Sequence, residues 1–124
     1  MTGFVLGPRQ GPAYGFHGAT VVIKASAAHT CGQLGVMESD YPPGLVVPPH
    51  VHEGEDEMFY LLAGELTGFC EDEGWIAIPG SFVFVPRDCA HGFAVTSAAP
   101  ARALVITGPS RLAGEIAAAG QPPP

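Results

Sequence analysis

GLVVPPHVHEGEDEMFYLLAG, residues 44–64, carries the densest chemistry of the 124-residue chain. It sets His50 and His52 two residues apart, follows them with Glu57, and closes an apolar run with Gly64. Side chains two apart on a β-strand share a face, with Cα atoms roughly 6.6 Å apart. Two imidazoles placed so can lean onto one ion. Glu57 sits at an odd offset from His52 and would face away on one continuous strand. The intervening Glu53-Gly54-Glu55-Asp56 reads as a turn, after which Glu57 opens the next antiparallel strand and points back into the same interior. A third imidazole has to arrive from elsewhere, and His91 in PRDCAHGFAV is the candidate. Together His50, His52, Glu57 and His91 make a candidate metal site of three imidazoles and one carboxylate.

The spacing matches a known pattern. Gly44, His50-x-His52, Glu57 and Gly64 resemble the first motif of the cupins at every defined position, and Gly80, Pro86 and His91 resemble the second. Asp88 stands where the second motif usually has Gly, and Val95 where it usually has Asn. The resemblance implies an all-β fold, a single double-stranded β-helix or jelly roll, with a metal held inside it. It also implies a homodimer, and sheet edges that need covering agree with that. It does not imply a reaction, because such folds host many unrelated functions.

Composition narrows the rest. One domain spanning residues 1–124 is expected at this length. Seventeen Gly and thirteen Pro signal many turns and short elements in place of a helical bundle. A net charge of −7, with basic residues only at Arg9, Lys24, Arg87, Arg102 and Arg111, argues against nucleic acid or an anionic membrane as partner. The N-terminal stretch lacks the cationic start and apolar core of a signal peptide, and no apolar run approaches a membrane span. A cytoplasmic location is the expectation. Cys31, Cys70 and Cys89 are odd in number and form no CxxC pair, which suits three reduced thiols.

Along the chain, residues 1–18 read as an irregular Gly/Pro-rich arm with at most one short strand. Strands are expected at residues 20–25, 31–38, 46–52, 58–62, 65–70, 75–78, 82–85, 91–95 and 101–107. Residues 26–30 read as a connection, and Asp40-Tyr41-Pro42-Pro43-Gly44 as a turn. The pattern then turns helical over residues 109–120, with Ser110 at the N-cap, Leu112, Ile116 and Ala119 on one face and Gly120 as the stop. Residues 121–124 read as a frayed tail. Glu53, Glu55 and Asp56 are read as solvated turn residues, and His17 and His29 as loop histidines.

Three imidazoles and a carboxylate suit one divalent transition metal (Fe, Ni, Mn, Co, Cu or Zn) better than Ca or Mg. Such a metal keeps positions open for substrate. Glu57 is the candidate catalytic residue, a general base toward a substrate hydroxyl, or else a plain ligand. Strand parity turns Phe59 and Leu61 inward with Glu57, and Phe93 and Val95 inward with His91. The Phe82/Phe84 strand is expected to add a further wall. These six are the candidate substrate-binding residues, and an aromatic lining favours a small apolar or aromatic organic substrate. Three classes follow: a dioxygenase resembling quercetinase-type cupins and acting on an enol, phenol or flavonol; a non-redox isomerase, cyclase or lyase; and a ligand-binding cupin without catalysis.

Overall fold

The computed structural model describes residues 2–124. Ten strands form two antiparallel sheets. The strands are β1 (Ala13–Phe16), β2 (Ala19–Ala25), β3 (Gly35–Tyr41), β4 (Val46–His50) and β5 (Asp56–Ala63), then β6 (Leu66–Cys70), β7 (Glu73–Ala77), β8 (Phe82–Val85), β9 (His91–Val95) and β10 (Ala101–Gly108). Two helices, α1 (Ala27–Thr30) and α2 (Arg111–Ala119), complete the chain. The six-stranded sheet runs β1-β2-β3-β10-β5-β8 and the four-stranded sheet β4-β9-β6-β7. Their inner faces enclose one core.

Period-two alternation decides which face each strand buries. In β3 and β10 the buried residues are Met37, Ser39 and Tyr41 against Ala101, Ala103, Val105 and Thr107. Gly64 has to be glycine: φ is +77°, and a Cβ there would lie 2.6 Å from the Ala101 Cα. It lets the chain cross from β5 in one sheet to β6 in the other.

Several expectations are corrected. Residues 26–30 form a helical turn, and Cys31 adopts φ +55° to close it, so β3 begins only at Gly35. Asp40 and Tyr41 belong to that strand, because Tyr41 pairs with Ala101 and packs its ring against Phe93 at 5.2 Å. The turn is confined to Pro42-Pro43-Gly44. At the start of the tail the Gln121 carbonyl accepts from the Gly15 amide at 2.9 Å, which links it to β1. The arm is likewise pinned, with Lys24 donating to the Gln10 carbonyl at 2.8 Å and Arg9 paired with Asp40 at 2.7 Å.

Helix α2 is shorter than residues 109–120 and buries Leu112, Ala113 and Ile116, with Ala119 left outside. Ser110 holds the N-cap position but its side chain caps nothing. The cap comes from Glu55, whose Oε2 accepts from the Leu112 amide at 3.0 Å. Glu55 is therefore no solvated turn residue; it is 3% exposed.

Candidate metal centre

β4 ends at His50, and His52 lies just beyond it. His50 faces His91 directly across the β4–β9 pairing, so two of the imidazoles come from neighbouring strands of the four-stranded sheet. Glu57 comes from the opposite sheet, set between Val85 and Thr107. The turn at residues 53–56 thus carries the chain across the barrel and does not form a hairpin within one sheet. The four side chains converge: one ligand atom from each lies within 4.8 Å of all the others. Ring centroids are 4.1 Å apart for His50 and His91, and 4.8 Å for His50 and His52.

The hydrogen bonds around the ligands set their tautomers. His50 Nδ1 lies 2.9 Å from the Pro48 carbonyl and His91 Nδ1 2.9 Å from the Cys89 carbonyl. A carbonyl only accepts, so Nδ1 donates in both rings and Nε2 is left with a free lone pair toward the centre. His91 is 2% exposed and its Nε2 has no hydrogen-bond partner. It faces Glu57 Oε1 at 3.3 Å, with His52 Nε2 3.8 Å from the same oxygen. Buried nitrogen and oxygen lone pairs aimed at one point need a cation or a proton between them. Burial opposes charge on His91, yet the Glu57 carboxylate and the Cys89 carbonyl outweigh it and raise its pKa. For His50 burial prevails and the pKa falls. The donor set fits a divalent transition metal.

The loop bearing His52 is held from the second motif. Asp88 donates its amide to the His52 carbonyl at 3.0 Å, and its Oδ1 accepts from the Gly54 amide at 2.9 Å. Asp88 has φ +67°, a conformation glycine adopts freely and aspartate tolerates. The departure at this position exchanges backbone ease for a side-chain tie. Asp56 adds a second tie, accepting from the Arg87 amide at 2.8 Å and pairing with its guanidinium; that partner holds the Asp56 carboxyl below its usual range.

A cavity of about 310 Å³ opens beside the four ligands. Phe59, Phe93 and Val105 wall it from the barrel, and Leu112 and Ile116 from α2. Ser39 and Tyr41 add hydroxyls; burial first, then the charge of Glu57, pushes the Tyr41 pKa well above the ordinary phenol value. Of the six wall candidates, Phe59 and Phe93 line the cavity. Leu61 and Val95 are 1% and 5% exposed in the core and do not reach it. Phe82 and Phe84 are corrected: at 60% and 50% exposed they point outward, and Val83 and Val85 turn inward. The reason is register. Val85 pairs with Glu57, and paired residues share a face. Sequence reasoning missed Leu112 and Ile116 as walls, although their helical spacing had marked the face that packs on the barrel.

Cys70 and Cys89 stand with their sulfurs 3.5 Å apart beside His91, and all three cysteines are free thiols. The hydrogen bond between the two thiols, which favours Cys89 in its protonated form, leads the causes that push Cys89 up to about 12.

The comparisons with known proteins agree with this geometry. The cupin domain family (Cupin_2) matches residues 37–107. The chain is a cupin. Over 75 residues it is 33% identical to quercetin 2,3-dioxygenase of Bacillus subtilis; that is 60% of this cupin but 22% of the enzyme, so the chain spans about a fifth of that relative's length. Among solved structures, an RmlC-like cupin from Shewanella frigidimarina superposes with a TM-score of 0.73 at 18% identity, covering 90% of this chain and 94% of the other. TT1209 from Thermus thermophilus is 35% identical, with a TM-score of 0.59 over 63% of this chain and 74% of its own. No helix among the described residues is long and apolar enough to cross a membrane.

Proposed function

We propose that this cupin is a metal-dependent dioxygenase acting on an enol, phenol or flavonol-like substrate. The observation that carries the reading is the convergence of His50, His52, His91 and Glu57 beside a cavity walled by Phe59 and Phe93. The match to quercetin 2,3-dioxygenase runs in the same direction. When bound, a divalent transition metal supplies Lewis acidity toward a substrate hydroxyl and, where redox-active, the means to engage dioxygen. The chain's own residues do the rest. Nδ1 bonds to backbone carbonyls fix the His50 and His91 rings. Apolar walls strip water from a flat organic ring. Glu57, 4% exposed, receives the hydroxyl proton on a carboxylate oxygen, and Tyr41, neutral at physiological pH, donates a hydrogen bond to a substrate oxygen.

The buried Glu57 also supports a second reading, a non-redox isomerase, cyclase or lyase in which the same carboxylate shuttles a proton without oxygen. One experiment separates the two. Protein purified without oxygen or chelator is subjected to elemental analysis, then to an oxygen-electrode trace with a flavonol. About one redox-active metal per chain and substrate-dependent oxygen uptake support the dioxygenase. Zinc without uptake transfers the assignment to the non-redox enzyme. Metal with flavonol binding but no turnover marks a ligand-binding cupin, and no metal at all overturns both enzymatic readings.

A further inference from the structure

We propose that Cys70 and Cys89 are a reversible oxidation site, a dithiol that closes to a disulfide and thereby loosens the metal ligand His91. The two sulfurs lie 3.5 Å apart, half-buried at the margin of the core. Cys70 stands directly opposite His91 in the β6–β9 pairing, and Cys89 precedes His91 by two residues. Two bonds keep the thiols adjacent. The Glu71 amide donates to the Ala90 carbonyl at 2.8 Å, and a Glu71 carboxylate oxygen accepts from the Ala90 amide at 3.1 Å. Partial exposure leaves the pair open to a molecule as small as hydrogen peroxide.

With hydrogen peroxide as oxidant the chemistry balances. One thiolate sulfur attacks a peroxide oxygen, the O–O bond breaks, and the departing hydroxide takes up a proton as water. The attacking sulfur is left as a sulfenic acid. The second thiol then attacks that sulfur, the S–S bond forms, and the sulfenic oxygen leaves as a second water. Two thiols lose two electrons and two protons, and one peroxide becomes two waters. Cys89 is pushed up to about 12, so at most one of the pair is a thiolate, and one is all that the first step takes.

Closure acts on the metal centre through Cys89. Bonded sulfurs lie about 2.05 Å apart, so the pair has to draw together by about 1.5 Å from its 3.5 Å. The backbone of Cys70 is held on both sides, by Glu73 of β7 and by His91 of β9. Cys89 lies in the turn before β9, so the adjustment falls on it. That turn carries the holds on two ligands. The Cys89 carbonyl accepts from His91 Nδ1 at 2.9 Å, and the adjoining Asp88 amide donates to the His52 carbonyl at 3.0 Å. Displacing Cys89 breaks the first hold and frees the His91 ring to turn. Loss of such a partner lowers metal affinity by about 10–100-fold. A disulfide formed against its surroundings is also the readily reduced kind, which makes the change reversible.

The coupling rests on the metal reading above, whereas the disulfide does not. In the test, the metal-free full chain is treated with hydrogen peroxide, the excess is destroyed with catalase, and Ni²⁺ affinity is measured by competition with a chromophoric chelator. Cys70 and Cys89 should be recovered as one linked pair from a non-reduced digest that separates the three cysteines. The Ni²⁺ dissociation constant should rise at least about 10-fold, and dithiothreitol should restore it. C70S/C89S keeps every ligand and should bind Ni²⁺ as the reduced wild type does, with or without peroxide. Cys70 and Cys89 recovered unlinked, or joined to Cys31 instead, overturns the proposal. So does a Cys70–Cys89 disulfide with unchanged Ni²⁺ affinity, or an equal loss of affinity in peroxide-treated C70S/C89S. If C70S/C89S loses its strand signal, Cys89→Ser is read in its place by the same criteria. Reduced wild type that binds no Ni²⁺ sinks the metal reading and the coupling with it. Normal binding when reduced and no change on oxidation sinks this proposal alone.

Discussion

Removing the Glu55 carboxylate isolates a contact that joins the ligand-bearing turn to the helix walling the cavity. Glu55 Oε2 accepts from the buried Leu112 amide at 3.0 Å, and Leu112 is the second residue of α2. In Glu55→Ala that amide loses its acceptor where water does not easily replace it. A lost N-cap costs about 0.5–2 kcal/mol, and a bond buried as this one is belongs at the upper end. About 2 kcal/mol is therefore expected, which for a domain of this size lowers Tm by roughly 8 °C. Glu55→Gln keeps an acceptor and should lose less than half as much. The assay is urea unfolding and calorimetry on metal-free protein, so that metal binding does not mask the difference. Leu112 and Ile116 line the cavity, so affinity for an apolar ligand should fall in Glu55→Ala while metal stoichiometry holds. If both variants unfold within about 0.5 kcal/mol of wild type, the cap contributes nothing and the reasoning fails.

Other expectations are equally direct. His50→Ala or His91→Ala should abolish stoichiometric metal binding by elemental analysis with the strand signal intact; normal metal in either would displace the site. Glu57→Gln should retain much of the metal but lose turnover if the carboxylate is the base, and unchanged oxygen uptake would leave it a ligand only. Arg87 depresses the Asp56 pKa, so their pair stabilises the fold above the unfolded carboxylate value of about 3.9 and loses this as pH falls. Arg87→Ala should therefore be less stable than wild type near neutrality and converge with it as pH falls through the depressed Asp56 value. A deficit that persists at acid pH would assign the effect to packing.

The ligand set was legible because it is local and periodic. Period two and turn chemistry act over a few residues and group His50, His52 and Glu57, while the distant His91 was joined to them by its place in the second motif. The fold class came from the resemblance, with the turn-rich composition agreeing, and the apolar face of α2 from Leu112 and Ile116. What failed was whatever depends on the partner strand. The Phe82/Phe84 strand pattern was expected to supply a wall, yet the pairing of Val85 with Glu57 turns Val83 and Val85 inward instead. Glu55 looks like one more acid in a turn until α2 arrives 57 residues later and places an unsatisfied amide beside it.

Sequence alone thus marked His50, His52 and Glu57, the strand-and-turn pattern and the terminal helix, because each is written in short intervals; His91 was added through its place in the second motif. Only tertiary structure decided that Glu57 reaches the imidazoles from the opposite sheet, that α2 walls the cavity, and that the aromatic side of β8 faces outward. Those outcomes rest on strand register and on which sheet receives each strand. Both are settled by contacts among residues far apart along the chain.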